Sequence, residues 1–537
     1  MSASSKKKLR NAELAEKLTE KQLAEQKEAK KLKLYTTLAV VILIALVVFA
    51  AYVGISRAIA NSGVRERNTV ALTINEETIS NAEFNYFFID AVNKFYSQYG
   101  NYASILGLDT TKPLNEQFVN EETQQTWADD FINSALETAK ATYAVAAEAK
   151  ANGYTLSEEA AASVDQTMST FAAYAAIYGY PDADAYLKAM YGSGADEESM
   201  RAHQELLALS SYYQNEYYNS LTYTDADLRA AEAEDFDKYS AYNYNYYYLN
   251  VNNFLEGDST EYTDEQRAAA EKKAEETAKV LTECTTVEEF DAAIAALPFN
   301  AELTDVASYA SENVARSSIY NGYADWVTDA SRKAGDMTYV ANTTTTTDDN
   351  GNSVEKLNGY YVVMFNSYND NKYPLADVRH ILVSFEGGAY DSTTGMTTYS
   401  DDEKAAAMEA AINIHNEWKN GAATEESFAE LANSKSDDGD GTSGGLYEGV
   451  YPGQMVKNFE HWCFDNRKAG DTDVVETEYG YHVMYYCGDN ETTYRDHLIS
   501  TELADNDYNE WFTALTDALS VTEGSYKYIS TDLTLGG

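Results

Sequence analysis

The pattern of apolar and polar residues divides the chain into distinct segments. An uncharged apolar run covers residues 34–55, and as a helix of about 33 Å it is long enough to cross a membrane once. Alternating apolar residues over 70–74 predict a short strand, and Ser80 followed by Glu83 predicts the start of a helix. Apolar residues at three- and four-residue spacing then predict amphipathic helices as far as about Glu234.

The C-terminal half of the chain contains an internal repeat of about 120–130 residues. The first copy runs from about residue 241 to 368 and the second from about 376 to 488. Each copy opens with a strand pattern, continues into a helix pattern, and closes on a strand that begins with glycine. Both copies also contain the same pentapeptide, Arg-Lys-Ala-Gly-Asp, at Arg332–Asp336 and Arg467–Asp471. This ordered identity predicts two modules of one fold.

The two copies differ in their histidines. His380 lies in the opening strand of the second copy, VRHILVSF, and His482 lies in its closing strand, GYHVMYY. Neither has a histidine counterpart in the first copy, where Tyr361 takes the place of His482. The second copy is therefore predicted to carry chemistry, and the first copy to serve as a scaffold.

These patterns together predict an α+β multidomain protein in which each repeat forms a small antiparallel sheet covered by helices. The predicted order is a basic segment at 1–33, a membrane helix at 34–55, a linker at 56–69, a helical domain at 70–239, two modules at 240–370 and 374–488, and a C-terminal helix and strand at 489–537. Because the C-terminal helix cannot bury its apolar face alone, we expect it to pack back on the helical domain. A second apolar strand is expected at 526–535.

Charge is distributed unevenly along the chain. The net charge is −48, although residues 1–33 carry ten basic and five acidic side chains. An acidic chain argues against nucleic-acid binding, which needs a basic face. The basic residues before the apolar run predict a cytoplasmic N-terminus, so that the acidic bulk lies outside the cell membrane. A cleaved signal peptide is the alternative, but its apolar region is usually only about 7–15 residues long.

The cysteines and histidines predict no metal or cofactor. The three cysteines, Cys284, Cys463 and Cys487, are too scattered for a disulfide framework or a zinc site of the usual spacing. No third histidine or paired carboxylate stands at ligand spacing near His380 and His482.

Residues 376–488 resemble a parvulin-type (PpiC, or rotamase) peptidyl-prolyl cis-trans isomerase. The motifs that carry the resemblance are VRHILV at 378–383, FAELA at 428–432, SDD at 436–438, SGGL at 443–446, GQMVKNFEHWCF at 453–464, KAGD at 468–471 and TEYGYH at 477–482. The family's usual Gly-Gly-Asp-Leu-Gly is altered here, because Gly444-Gly445-Leu446-Tyr447 lacks the Asp and the final Gly. Residues 70–100, the helices beyond them and the C-terminal helix resemble the chaperone part of SurA-like and PrsA-like extracytoplasmic foldases.

The parvulin resemblance implies a set of site residues. His380 and His482 would lie side by side on neighbouring strands as catalytic residues, with Asp438 and Thr477 in the hydrogen-bond network around them. An apolar slot would hold the proline ring of the substrate. Its predicted members are Met455, Phe459, Leu446 and Tyr479; Met455 and Phe459 are four residues apart on a predicted helix and would share a face.

The sequence thus favours a membrane-anchored extracytoplasmic foldase that isomerises X-Pro bonds in unfolded or newly secreted polypeptides. The loop at 384–400 contains no Lys or Arg, so a requirement for phosphorylated substrates is not expected. One alternative is a holdase chaperone whose isomerase module is inactive. The other is a structural or adhesion protein of the cell envelope. The sequence leaves the oligomeric state open.

Overall fold

The computed structural model describes residues 3–256, 262–347, 351–392, 395–439, 441 and 443–534, with side chains given outside 14–41. The chain forms two compact units. The first unit contains Met1–Leu221 and Asn506–Gly537, and the second contains Thr222–Asp505. The protein is an α+β multidomain chain, mostly helical, with several small antiparallel sheets.

The first unit is mainly helical. Its elements before residue 221 are α1 (Ala3–Asn61), α2 (Val64–Asn68), β1 (Val70–Ile74), β2 (Glu77–Ser80), α3 (Asn81–Tyr99), β3 (Phe118–Asn120), β4 (Gln125–Thr126), α4 (Trp127–Ala151), α5 (Glu158–Ile177), α6 (Ala183–Tyr191) and α7 (Glu197–Ser220). The predicted start of α3 is confirmed, because Ser80 and Glu83 form a reciprocal capping box.

One apolar stretch within α1 could cross a membrane. Among the described residues, Ile42–Asn61 is long and apolar enough to do so, and none of it is buried inside the protein. Residues 34–41 of the expected span lie outside the part whose side chains are described. The predicted linker at 56–69 is largely helical instead, because α1 continues to Asn61 and α2 begins directly after Gly63, whose φ is 69°.

The second unit contains two modules, which we define as the first module (240–370) and the second module (374–488). Elements of this unit up to residue 370 are α8 (Asp225–Glu234), β5 (Ala241–Asn250), α9 (Asp264–Leu281), α10 (Val287–Ala295), β6 (Tyr309–Ala315), α11 (Asn321–Val327), β7 (Met337–Thr347) and β8 (Ser353–Asn369). The second module contains β9 (Pro374–Ser384), β10 (Ala389–Asp391), β11 (Met396–Thr398), α12 (Asp401–Asn420), α13 (Glu425–Lys435), β12 (Leu446–Val450), α14 (Lys457–Phe464), β13 (Thr472–Glu476) and β14 (Gly480–Thr493).

Each module is built on a four-stranded antiparallel sheet of the same topology. The strand order is β6-β5-β8-β7 in the first module and β12-β9-β14-β13 in the second. The opening and closing strands of each module are therefore the two central strands, and they pair directly with each other. Residues on these two strands are held at the middle of the sheet, where both neighbours restrict their position.

The repeated pentapeptide makes the same contacts in both modules. The backbone N–H of Gly335 donates to the Phe365 carbonyl at 2.9 Å, and that of Gly470 donates to the Tyr486 carbonyl at 2.8 Å. The arginine that opens each pentapeptide lies over a tryptophan ring, at 4.7 Å in the first module and 4.9 Å in the second. Both glycines have φ near +90°, a conformation that disfavours any residue with a Cβ.

A buried arginine joins distant segments of the second unit. Arg495 is fully buried and donates from Nε to Glu232 at 2.7 Å. Its other nitrogens donate to the carbonyl oxygens of Phe236 and Asp370 and to the Ser240 hydroxyl. The guanidinium also lies 3.8 Å from the centre of the Phe236 ring. One side chain that follows the second module thus satisfies polar groups that precede the first module and groups at its two ends.

The end of the chain adds a strand to the first unit. Helix α15 (Tyr494–Asp517) is followed by β15 (Val521–Glu523), which pairs with β1 in a sheet of order β15-β1-β2. Within this unit, Trp511 stacks on Tyr217 with ring centres 4.0 Å apart. The strand expected at 526–535 is wrong for the described residues up to 534, which form turns instead. Ile529 of this segment is buried in the core of the first unit, and Tyr526 packs against that core.

Candidate active site

Two buried imidazoles meet at the centre of the second module's sheet. His380 lies on β9 and His482 on β14, and their Nδ1 atoms are 3.0 Å apart. His482 is directly opposite Leu382, so it is the diagonal neighbour of His380 on one face of the sheet. The two residues are only 3% and 5% exposed. The structure therefore brings these two predicted site residues into direct contact.

Asp438 and Thr477 extend the imidazole pair into a chain of hydrogen bonds. His380 Nε2 lies 3.1 Å from Asp438 Oδ2, and His482 Nε2 lies 2.9 Å from Thr477 Oγ1. One proton arrangement satisfies every group: Thr477 donates to His482, His482 donates through Nδ1 to His380, and His380 donates through Nε2 to the Asp438 carboxylate. The backbone N–H of Tyr479 donates to Thr477 Oγ1 at 3.2 Å. In this arrangement, each side chain from Thr477 to His380 donates to the next one in the chain, which ends at Asp438.

The loop that carries Asp438 is docked on strand β9. The Leu382 N–H donates to Ser436 Oγ at 3.1 Å, and the Asp437 N–H donates to the Leu382 carbonyl at 2.9 Å. The Ser384 N–H donates to Asp437 Oδ2 at 2.8 Å. Ser436 and Asp437 thus bond to the part of β9 that lies beyond its pairing with β12. This docking aims the partly exposed Asp438 at His380.

A glycine pair allows the next loop to approach the backbone of His380. Gly445 has φ of 65°, and a Cβ at this position would lie 2.1 Å from the His380 carbonyl oxygen. Arg379 holds the loop by donating to the Gly444 carbonyl at 3.0 Å, and its Nε donates to Glu425 at 2.9 Å. Arg379 therefore stabilises the loop that contains Gly444 and Gly445.

Phe459 forms an apolar wall beside the imidazoles. Its ring contacts His380 and His482 edge-on, with centres 5.3 and 5.4 Å apart. Met455 packs against the same buried cluster, but the prediction that both residues share a helix is wrong. Helix α14 begins at Lys457, because Val456 at its N-cap has an extended backbone. Met455 therefore approaches the cluster from the preceding turn.

Leu446 and Tyr479 are not placed beside the imidazole pair. Leu446 pairs with Arg379, so the alternation of a strand puts its side chain on the face opposite to His380. Tyr479 lies in the turn between β13 and β14 and is 60% exposed. Strand register thus contradicts the expectation that Leu446 lines the slot with Phe459, whereas the expectation for Tyr479 stays a prediction.

Tyr447 is a site residue that the sequence did not identify. It pairs with Val378 and therefore shares a face with His380, on whose ring it stacks with centres 5.0 Å apart. Its hydroxyl donates to Asp438 Oδ2 at 3.1 Å. The available signal was the departure from the family pattern, because Tyr447 stands where the usual motif ends in glycine. Tyr447 and His380 thus share the carboxylate of Asp438.

Burial keeps the imidazole pair uncharged. Burial lowers the pKa of His380 against the opposing pull of the Asp438 carboxylate. Burial, together with the neighbouring His380, lowers the pKa of His482 to about 4. Burial and the same carboxylate raise the pKa of Tyr447. At neutral pH, the site therefore presents a neutral network that ends in one carboxylate.

We expect the second module to lose stability as the pH falls from about 6.5 towards 4. Histidines in the unfolded chain bind protons near pH 6.5, whereas the folded pair stays neutral to lower pH. The unfolded state then binds more protons, so the free energy of unfolding decreases. Hydrogen exchange of β9 and β14 amides across this range measures the effect. A His482→Gln variant that shows the same pH dependence as the wild type would contradict it.

Comparisons with known proteins identify the domain that carries these residues. Residues 380–487 match the family model for the rotamase, or PPIC-type PPIase, domain. The chain is 43% identical over 60 residues to foldase protein PrsA 3 of Bacillus cereus, which is 11% of this chain and 21% of that protein.

Two solved structures are also similar to parts of the chain. The isomerase PrsA from Bacillus anthracis is 22% identical over 28% of this chain and 59% of its own, with a TM-score of 0.18. A SurA-like chaperone of Campylobacter jejuni is 24% identical over 27% of this chain and 52% of its own, with a TM-score of 0.17. The chain thus spans between about a fifth and three fifths of the length of these three proteins. From the family match, which contains His380, Asp438, Thr477 and His482, residues 380–487 of this chain are a parvulin-class rotamase domain of the PPIC type.

Proposed function

We propose that this chain is a membrane-anchored extracytoplasmic foldase whose second module catalyses peptidyl-prolyl cis-trans isomerisation. The observation that carries the proposal is the pair of neutral imidazoles in contact at 3.0 Å, with Phe459 against both rings and Tyr447 and Asp438 beside them. These groups lie within the rotamase domain.

The reaction needs a site that prefers a twisted peptide bond. Rotation about the C–N bond has a barrier of about 18–20 kcal/mol, and uncatalysed X-Pro exchange takes tens to hundreds of seconds. No covalent bond breaks, so the protein accelerates the reaction by binding the twisted imide more tightly than either planar form. In the twisted form, the imide nitrogen gains basicity and the carbonyl loses its resonance polarity. Apolar walls with adjustable polar groups favour this form.

Exposed and buried groups of the site have different roles in binding the twisted imide. The partly exposed Asp438 and Tyr447 and the half-buried Met455 can touch a bound polypeptide. His380 and His482 are nearly covered, so we assign them as positioning residues that orient Asp438 and Tyr447 from behind. Hydrogen-bonded networks of this kind hold polar groups in one arrangement.

Substrates and location follow from the same proposal. Polypeptides that contain X-Pro bonds are the clients, without a need for phosphorylation, because Arg379 is bound to Glu425 and to loop carbonyls. The apolar stretch in α1 would anchor the chain, with the basic residues before it on the cytoplasmic side. A cleaved signal sequence remains the alternative for this stretch.

Proline-limited refolding of a reduced, unfolded test protein examines the proposal. We expect the slow phase to accelerate in proportion to the concentration of the full chain, solubilised in detergent, because that phase is limited by X-Pro exchange. Refolding of a test protein without a proline-limited phase is the control. An unchanged slow phase would contradict the proposed activity.

The second candidate function is a holdase that does not isomerise its clients. The near-complete burial of both imidazoles and the stacking of Tyr447 on His380 favour this candidate. Light scattering distinguishes the two, because a holdase suppresses the aggregation of an unfolded client and leaves the slow refolding phase unchanged.

A further inference from the structure

The segment that carries Met455 begins with a closed β-turn. The four residues that follow strand β12 form this turn, in which the Gln454 N–H donates to the Tyr451 carbonyl at 3.2 Å. Pro452 and Gly453 occupy its two central positions, and Gly453 has φ of 89°, as a type II turn requires. The Tyr451 N–H also donates to Gln454 Oε1 at 3.1 Å. Because the turn is closed in this way, a displacement of Tyr451 also displaces Met455.

A histidine outside the rotamase domain packs on this turn. His497 lies on helix α15, and its ring stacks on the Tyr451 ring with centres 4.2 Å apart and planes at 29°. Both residues are half-buried. Tyr494, one helical turn earlier, extends the stack with its ring centre 6.4 Å from that of His497. Since the family match ends at residue 487, the turn is supported by a helix that the family pattern does not include.

The first turn of α15 gives His497 a fixed support. The Tyr494 N–H donates to the Tyr373 carbonyl at 2.9 Å, and the Arg495 N–H donates to the Asn371 carbonyl at 2.7 Å. These bonds satisfy N–H groups that a helix leaves unpaired at its start. The buried guanidinium of Arg495 anchors the same helical turn through its side chain. His497 therefore lies on backbone that is held independently of the β-turn on which it packs.

His497 contributes to this stack as an uncharged aromatic ring. Burial lowers the pKa of His497, so the imidazole is neutral at pH 7. Stacked aromatic pairs are stabilised through their ring faces, and no charge on His497 is needed for the contact with Tyr451. A phenylalanine in place of His497 would therefore keep the stack, whereas an alanine would remove it.

We propose that His497 is a positioning residue of the isomerase site, which acts on a bound polypeptide through Tyr451 and the turn that precedes Met455. The inference rests on the proposed function of the second module. Met455 packs against the cluster that contains Phe459 and is half-buried, so it can touch a bound polypeptide. Molecules in which the turn is displaced lack this apolar contact. The apparent affinity for substrate then falls with the fraction of molecules whose turn is in place.

Isomerase kinetics on a short peptide with one X-Pro bond test the proposal, with the full chain in detergent. We expect His497→Ala to raise KM by about two- to tenfold, the equilibrium factor that an aromatic pair contributes. The value of kcat should stay unchanged, because a bound substrate selects the ordered turn. His497→Phe should restore the wild-type KM. A lower kcat with an unchanged KM would overturn the proposal, as would a His497→Phe variant that behaves like His497→Ala.

A double substitution determines whether His497 acts through Met455. In a Met455→Ala background, His497→Ala should cause no further rise in KM, whereas effects that multiply would contradict the proposed route. His461 is the matched control, because it is an exposed histidine of α14. His461→Ala should leave KM and kcat unchanged. A rise in KM as large as that of His497→Ala would show that the effect is not specific to the stacked ring.

Hydrogen exchange tests the positioning role independently of activity. The Gly453 N–H donates to Glu460 and the Gln454 N–H to Tyr451, and both should exchange about two- to tenfold faster in His497→Ala. Amides of β9 and β14 should not change. Unchanged exchange at Gly453 and Gln454 would overturn the proposal, as would equal acceleration in β9 and β14, which indicates a general loss of stability. If the wild type has no isomerase activity but the turn responds, the proposed function is wrong and the positioning of the turn by His497 stands.

Discussion

Replacing His482 by alanine is expected to slow prolyl isomerisation by about 10- to 100-fold, the range typical of residues that orient a site from behind. The substitution removes the donor to His380 Nδ1 and leaves Thr477 Oγ1 without its imidazole partner. Asp438 and Tyr447 then lose the network that holds them. The rate of the slow phase in proline-limited refolding measures the loss.

His415 provides a matched control for this substitution. It is a third buried histidine of the same module; it lies on helix α12, and its Nε2 is 2.9 Å from Thr472 Oγ1 on β13. The His415→Ala variant should lose stability but keep its isomerase rate at temperatures where it is folded. If His482→Ala retained the wild-type rate, the site assignment would be wrong, and equal losses in both variants would indicate a general packing defect.

Replacing Arg495 by alanine is expected to destabilise the second unit by about 3–5 kcal/mol, the cost of removing one partner of a buried ion pair. Glu232 would keep Lys372 at 3.0 Å, but it would lose its buried bond to Arg495. The carbonyls of Phe236 and Asp370 would also lose a donor, and unpaired buried carbonyls are costly. Hydrogen exchange in urea, followed for peptides from the second unit, measures the change.

The exposed Arg316 is the matched control for Arg495. It pairs with Asp325 at 2.6 Å, and both side chains are open to solvent. Exposed pairs of this kind contribute about 0–1 kcal/mol, so Arg316→Ala should change the free energy of unfolding little. A similarly small effect of Arg495→Ala would show that its buried contacts do not hold the second unit together.

Local features of this protein were predictable because they depend on residues that are close in the chain. The capping box at Ser80 and Glu83 needs only three residues of separation, and it forms as predicted. The apolar stretch near the N-terminus is likewise a matter of local composition. Motifs within 376–488 were sufficient to recognise the parvulin class, which the family match to 380–487 supports.

The composition of the site depended on strand register, which local patterns do not determine. Leu446 and Tyr447 are adjacent, and a shift of one residue exchanges the faces that they occupy. Register places Tyr447, not Leu446, beside His380. Met455 lies outside α14 because Val456 has a non-helical backbone and the helix begins at Lys457.

By itself, the sequence determined the class of the second module, the repeated pentapeptide and the apolar stretch of α1. Each of these features is recognised from short runs of consecutive residues. Only the tertiary structure decided which groups share a proton network and which aromatic rings meet. Arg495 lies 263 residues from Glu232, to which it is bonded, and Tyr361 meets Tyr320 and Tyr246 only when the sheet has formed. Such contacts arise from the packing of segments that are far apart in the chain, and no local pattern encodes them.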